Sequence, residues 1–331
     1  MIRLNRGAAA ILAAILLAAP AAANDSVASM GAGGLVLERT DGIEMRSEDL
    51  YVSAAEIRVH YRFFNRTARD ISTIVAFPMP DLQGGIESDV AIEDPLRMPF
   101  TTTVNGRRVA TNVEQKAVLN GVDHSDMLRG LGVPFTPRGE ATLQALAALP
   151  RPQIDMLIEM GLVEDRSWVD RGVRTLELAP LWTLKTTHYW TQVFPTGREL
   201  DVRHHYAPAV GGSAGSIFGD PMMADSESRN EQATLYCTDD AFWAAAQRMR
   251  ARGLHVSETW IDYILTTGAN WAEPIGEFRL VVDKGSSRNL VSFCGEGVRR
   301  ISSTRFEIRR SNYTPTSDLS VLILTGSRMD D

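Results

Sequence analysis

The sequence predicts a mainly β protein, with antiparallel β-sandwich regions, an inserted helical hairpin and one further amphipathic helix. Three observations carry that prediction. Residues 56–80 hold Ile57, Val59, Tyr61 and Phe63 in alternation with Arg58, His60, Arg62 and Phe64, the period of two of a half-buried strand. A β-branched run at 71–77 follows the turn-type residues 65–70 and stops at Pro78-Met79-Pro80, where proline lacks the N–H to continue a central strand. This pair reads as an antiparallel hairpin at the centre of a sandwich. Short alternating runs among 26 glycines and 15 prolines continue the pattern to the C-terminus.

The first residues carry an export signal. Arg3 and Arg6 precede an apolar run at 8–19 and the small residues Ala21-Ala22-Ala23, so cleavage is expected after Ala23 and the expected location is the periplasm. The run is too short for a transmembrane anchor, and no later stretch reaches the apolar length that spanning requires. The formal charge of −7 becomes −9 once the two arginines of that signal, which holds no acid, are removed. An acidic chain without a basic block excludes nucleic acid and anionic membrane as main partners.

Four regions are expected: the signal at 1–23, a β-sandwich region at 24–121, a helical insertion at 122–172 and a β-rich region at 173–331. In the first β-region short strands are read at 35–37, 43–46, 50–52 and 86–92. Phe100 to Val104, Asn105-Gly106 and Arg107 to Ala110 form the strongest hairpin signal, because Asn-Gly suits a type I′ turn. In the insertion, Thr136-Pro137 and Pro152 start two helical runs. They read as a cap on the sandwich, with a mobile lid as the alternative. Residues 209–232 show no periodicity and read as a long loop. A helix at 239–252 follows, capped by Thr238 and buried through Phe242, Ala245, Ala246 and Met249.

Cys237 and Cys294 are the two cysteines, and in an oxidising compartment they read most simply as one disulfide. The rival reading is a thiolate at Cys237, just ahead of a helix start. No HExxH, GxSxG, SxxK or Walker motif is present, so no catalytic residue and no cofactor is expected. His204 shares a face with Val202 and Tyr206 and reads as a hydrogen-bonded sheet histidine. His205 points the other way, and a His188/His205 metal site is the candidate if their strands pair. The aromatic residues at 182, 189, 190, 206, 260, 263 and 271 read as core, with a sugar-stacking platform beside paired acids as the hydrolase alternative. The polar positions Gln192, Arg203 and His205, on an expected exposed edge, are the candidate binding residues.

Several passages resemble the bacterial family known as domain of unknown function 4424. They are Gly34-Leu35-Val36-Leu37, the run 43–50, Tyr61-Arg62-Phe63-Phe64-Asn65 with Phe77-Pro78-Met79-Pro80, Tyr189-Trp190-Thr191-Gln192, His205-Tyr206-Ala207-Pro208 and Val291-Ser292-Phe293-Cys294-Gly295. The resemblance implies an exported bacterial protein and supplies no catalytic set. Residues 50–110 are also similar to the vault/inter-alpha-trypsin type of β-domain, which implies protein–protein contact by analogy of fold. The expectation is a non-enzymatic periplasmic protein that binds an envelope protein or a small ligand. A carbohydrate-active hydrolase and a histidine metal site are the alternatives.

Overall fold

The computed structural model describes residues 24–31, 34–85 and 95–328. Along the N-terminal half run β1 (Ser26–Gly31), β2 (Gly34–Glu38), β3 (Ile43–Ser53), β4 (Ile57–Asn65), β5 (Ile71–Pro78), β6 (Phe100–Val104), β7 (Arg107–Val109) and β8 (Asn112–Leu119). After three helices come β9 (Thr183–Phe194), β10 (Glu199–Tyr206), β11 (Val210–Ser213), β12 (His255–Tyr263), β13 (Ile275–Asp283), β14 (Leu290–Phe293), β15 (Arg305–Tyr313) and β16 (Leu319–Ser327). The strand read at 86–92 lies outside the described residues.

These strands form most of a seven-stranded sheet, in the order β8-β9-β5-β1-β2, most of an eight-stranded sheet, in the order β15-β13-β3-β4-β10-β6-β7, and a four-stranded sheet, in the order β11-β12-β16-β14; two-residue strands complete the first two. The fold is thus mainly β with sandwich packing, as the alternating pattern requires. One continuous core is shared by all three sheets, from Val75, Phe77 and Trp190 through Tyr61, Val202 and Leu280 to Ile261 and Val321. The two β-regions meet in one sheet, because β3 pairs in parallel with β13 from Ser47 opposite Glu277 to Ser53 opposite Asp283. The Asn-Gly hairpin is present between β6 and β7, with Asn105 and Gly106 both at positive φ.

The central pair is not a hairpin. Strand β4 lies in the eight-stranded sheet and β5 in the seven-stranded one, so residues 66–70 fold one strand over the other instead of beside it. Strands β9 and β10 repeat the manoeuvre at Pro195-Thr196-Gly197, and the two arches dock: β4 pairs with β10 while β5 pairs with β9. Asn65 holds the seam. Its Nδ2 donates to the carbonyls of Arg69 and Phe194, both at 2.8 Å, and its Oδ1 accepts the Thr67 N–H at 2.9 Å. The Asn65 carbonyl accepts from Gly197, and the Asp70 carboxylate takes the Thr196 N–H at 2.8 Å. Turn-type residues at 65–70 specify a reversal. Whether the reversed strand pairs or stacks depends on what lies opposite, here the second arch.

Helices α1 (Ser125–Gly130), α2 (Glu140–Ala148) and α3 (Arg151–Glu159) bury Leu128, Leu146, Ile154 and Leu157 around Ala117 of the seven-stranded sheet and Trp182, the residue before β9. Trp182 Nε1 donates to the Phe135 carbonyl at 2.8 Å. The first helix of the expected pair starts later than Thr136, with Gly139 at its N-cap. Residues 209–232 are less irregular than expected: α4 (Glu227–Tyr236) begins there, capped by Ser226. Only Tyr236 of that helix is buried, so no apolar stripe marks it in the sequence. In α5 (Asp240–Ala251) the cap is Asp239 and not Thr238, and Trp243 replaces Phe242 and Ala245 in the buried stripe with Ala246 and Met249. Cys237 and Cys294 form a disulfide that ties the end of α4 to the residue after β14 across 57 positions. Closing a loop of that span stabilises the fold by about 4 kcal/mol in the chain-entropy account.

Replacing Asn65 by Ala leaves the Arg69 and Phe194 carbonyls without their donor in a buried seam. The expected cost is about 3 kcal/mol, measured as a lower urea midpoint with unchanged far-UV dichroism below the transition.

Candidate functional site

The outer face of the eight-stranded sheet carries the chemistry. Alternation sends Arg58 and His60 of β4, and Arg203 and His205 of β10, away from the core. In β3 the register shifts between Met45 and Ser47, a bulge at Arg46. Gly276 of β13 passes this bulge so closely that a Cβ there would stand 2.5 Å from the Arg46 carbonyl oxygen. The bulge reverses the parity of the strand: Met45 faces the core before it, and Glu48, Leu50 and Val52 after it. Asp49 and Tyr51 therefore face outward with the polar residues of β4.

The register lines these side chains up across the strands. One row runs Arg309, Arg279, Asp49, His60, Arg203, and the next runs Glu307, Val281, Tyr51, Arg58, His205. All of these except Arg309 and Glu307, together with Ile301 and Arg305, border an open cavity of about 500 Å³. Four arginines line it, Arg58, Arg203, Arg279 and Arg305, against the single carboxylate of Asp49.

Each guanidinium is braced from the side. Arg279 donates to Glu307 at 2.8 Å and to both oxygens of Asp49 at 3.1 Å. Arg203 donates to Asp201 at 2.9 Å and Arg305 to Asp283 at 2.7 Å, while Arg58 lies 3.4 Å from Glu56. The Tyr51 ring sits between two of the cations, 4.3 Å from Arg58 and 5.7 Å from Arg305, and its hydroxyl donates to Asp283 at 3.1 Å. Three of the bracing acids, Glu307, Asp201 and Asp283, are held ionised. Hydrogen bonds from Arg309 and Arg279 bring Glu307 down to about 2. Burial alone would raise Asp201 and Asp283, but hydrogen bonds from Arg203 and His60, and from Arg305, outweigh it and hold both below the usual carboxylate range. A guanidinium has five N–H donors, so one or two such bonds fix its plane and leave donors for a ligand.

The inner face carries a second polar group, sealed in the core. His204 accepts or donates through Nδ1 with Thr102 at 2.9 Å and through Nε2 with Asp25 at 3.1 Å. Hydroxyl, imidazole and carboxylate thus follow the order of a nucleophilic relay, yet all three residues are at most 1% exposed. No substrate reaches the Thr102 hydroxyl, and the chain of bonds satisfies polar groups that strand parity turns inward.

Of the three candidate binding residues, Arg203 and His205 stand on this outer face, in a strand flanked on both sides and so not at an edge. Gln192 does not join them: it lies on β9 in the other sheet, paired with Thr73, its amide bonded to the Val193 carbonyl at 2.7 Å. The His188/His205 metal site fails because β9 and β10 do not pair. His188 faces the core and stacks on Phe100 at 3.9 Å, whereas His205 is exposed and meets Glu56 at 2.9 Å. Among the described residues no group of His, Cys, Asp and Glu is placed to hold a metal ion. The proposed sugar platform is mostly interior, with Trp182, Trp190, Tyr206, Tyr263 and Trp271 all buried. Arg58, His60, Arg279, Arg305, Asp49 and Tyr51 were not legible as site residues. Their alternation was visible, but the order of strands that brings them together was not.

A β-sandwich with an arginine-lined outer face is the class of protein that fold and groove define. The chain belongs to the family of the domain of unknown function DUF4424, whose profile matches residues 23–322. No curated protein matches it. Among solved structures it is similar to a Legionella pneumophila protein provisionally described as nutrient binding, at 15% identity over 91% of this chain and 70% of that one, with a TM-score of 0.42. It is also similar to a mutant M1 zinc metallopeptidase of Deinococcus radiodurans, at 9% identity over 87% of this chain and 43% of that one, TM-score 0.24. Neither likeness is close enough to carry an argument about this chain.

His188 gives a test of the interior. Burial, with His204 beside it, lowers its pKa from 6.5 to about 4. The unfolded chain therefore takes up this proton first as pH falls. The stability tied to a neutral His188 is complete above pH 6.5 and lost on the way down to pH 4, by about 3 kcal/mol. Urea titrations are expected to show a smaller loss between pH 6.5 and 4 in His188→Phe than in the parent.

Proposed function

We propose that the protein is an exported, non-enzymatic binding protein of the bacterial envelope, and that it takes a small anionic ligand bearing carboxylate or phosphate groups in the outer-face groove. One observation carries the reading: four braced arginines converge on a cavity of about 500 Å³ in a chain whose formal charge is −7. Each of these cations is paired with an acid, so what the face offers an anion is guanidinium N–H donors held in fixed orientation. The volume falls in the range of small-molecule sites, and planar guanidiniums held in fixed orientations suit bidentate bonds to carboxylate or phosphate. The export signal at 1–23 supports the compartment, and among the described residues no helix is long and apolar enough to cross a membrane. The burial of the aromatic residues and the separation of His188 from His205 favour this reading over the hydrolase and the metal site.

Calorimetric titration of the processed protein with di- and tricarboxylates and with phosphate esters is expected to find one saturable site. Arg279→Gln or Arg203→Gln should weaken it by about tenfold or more, the scale of one charge-assisted hydrogen bond. Arg107→Gln, on β7 outside the groove, should leave it unchanged. Equal loss in all three variants, or no saturable binding of any anion, would refute the proposal.

A further inference from the structure

Outside the groove, the most unusual feature is the burial of the first described residues. Asn24, Asp25 and Ser26 are each 0% exposed, though all are polar. The fold supplies a receptor for them. The Asn24 N–H donates to Thr267 Oγ1, whose own hydroxyl donates to the Asn24 carbonyl at 2.7 Å. Asn24 Nδ2 donates to Glu48 Oε2 at 2.9 Å, and its Oδ1 accepts from the Tyr61 hydroxyl. Trp271 Nε1 donates to the Asp25 carbonyl at 2.8 Å, and Asn270 Nδ2 donates to Ser26 Oγ at 3.0 Å.

One group in this receptor has no partner. Glu48, turned inward by the bulge at Arg46, is 1% exposed, and its Oε1 accepts no hydrogen bond. A second buried carboxylate, Asp25, is close enough to act on it electrostatically. The other titratable groups facing Glu48 are Tyr61 on β4, Tyr263 on β12 and Tyr313 on β15, with His204 on β10 behind Asp25. Two buried acids against one histidine leave a cation wanting. The small-residue cleavage signal Ala21-Ala22-Ala23 ends directly before Asn24.

We propose that Asn24 is the N-terminus of the processed chain and that its α-ammonium is the cation of this pocket, pairing with Glu48, so that export processing completes the core. Hydrolysis of the Ala23–Asn24 peptide bond by a signal peptidase consumes one water and leaves the Ala23 carboxylate and the Asn24 amine, which is protonated at neutral pH. The residue whose side chain already reaches Glu48 then brings a charge that a peptide N–H cannot supply. The inference rests on the export signal and is independent of the groove.

The pH dependence separates the two states. With Asn24 inside a peptide bond, burial raises Glu48 to about 8, with Asp25 adding and the bonds from Asn24 and Tyr263 opposing. Folded Glu48 then keeps its proton where the unfolded chain has lost it, so stability falls as pH rises from 4.5 to 8. With the ammonium present Glu48 is held ionised, and this loss is absent until the amine itself deprotonates above pH 8.

The test compares chains 24–331 made with Asn24 first and with a Gly-Ser extension before it, each with and without Glu48→Gln, by urea midpoint from pH 5 to 9. The unextended chain should hold its midpoint from pH 5 to 8 while the extended chain loses it. E48Q should raise the midpoint of the extended chain at pH 8 and lower that of the unextended chain. Should the extended chain not fold at all, the unextended pair decides: the deficit caused by E48Q must close as the amine deprotonates towards pH 9. Equal profiles for both chains, an E48Q deficit independent of pH, or an exported protein whose intact mass places its first residue elsewhere would overturn the proposal.

Discussion

The seam between the two arches sets the geometry on which the rest depends. Strands β4 and β5, and again β9 and β10, leave one sheet and enter the other, and Asn65 ties both crossings together. A side-chain amide is suited to this place because it donates to two carbonyls and accepts from an N–H at once. Around it Phe63, Phe194 and Trp271 pack ring against ring, with Phe63 and Trp271 centroids 4.4 Å apart. Hydrogen bonds specify the crossing and the aromatic rings fill the space beneath it. With the crossing fixed, β10 has to lie beside β4, and the polar positions of the two strands become neighbours on the outer face.

A second constraint is local. The bulge at Arg46 changes which residues of β3 face water, and Gly276 is the neighbour small enough to pass it. The same bulge makes both places of interest. It sends Asp49 and Tyr51 outward to brace the arginines, and it turns Glu48 inward among Asn24, Tyr61 and Tyr263. A one-residue irregularity in a strand is a common way to re-aim side chains, and here it serves both faces of one sheet.

Much of the fold was legible where a single strand or turn decides it. The alternation of 57–64 gave the correct buried face, and Asn105-Gly106 the correct turn. What depends on partners was not legible. The reversal at 65–70 reads identically for a hairpin and an arch. Gln192 lies close to Arg203 in the sequence but in another sheet, because the second arch falls between them. The same crossing separates His188 from His205. Helix α4 escaped notice because its side chains are polar and its one buried residue, Tyr236, comes at its end. For the groove, half of its cations were visible as polar positions of β4 and β10. The other half arrive from β13 and β15, more than 70 residues away, through a parallel pairing that leaves no local mark.

The outer face thus differs from the inner one in kind: inside, polar groups are sealed from water and, apart from Glu48 Oε1, His188 Nδ1 and the Tyr206 hydroxyl, bonded to one another, while outside, braced cations face water with donors to spare. The most direct test of that division is the arginine side-chain Nε–Hε NMR spectrum of the processed protein, titrated with a tricarboxylate. Signals of Arg58, Arg203, Arg279 and Arg305 are predicted to move along one common saturation curve while those of arginines elsewhere, such as Arg107 and Arg252, stay in place. Unsaturated shifts spread over all exposed arginines, or a titration that leaves those four unmoved, would contradict the assignment of this face as the binding surface.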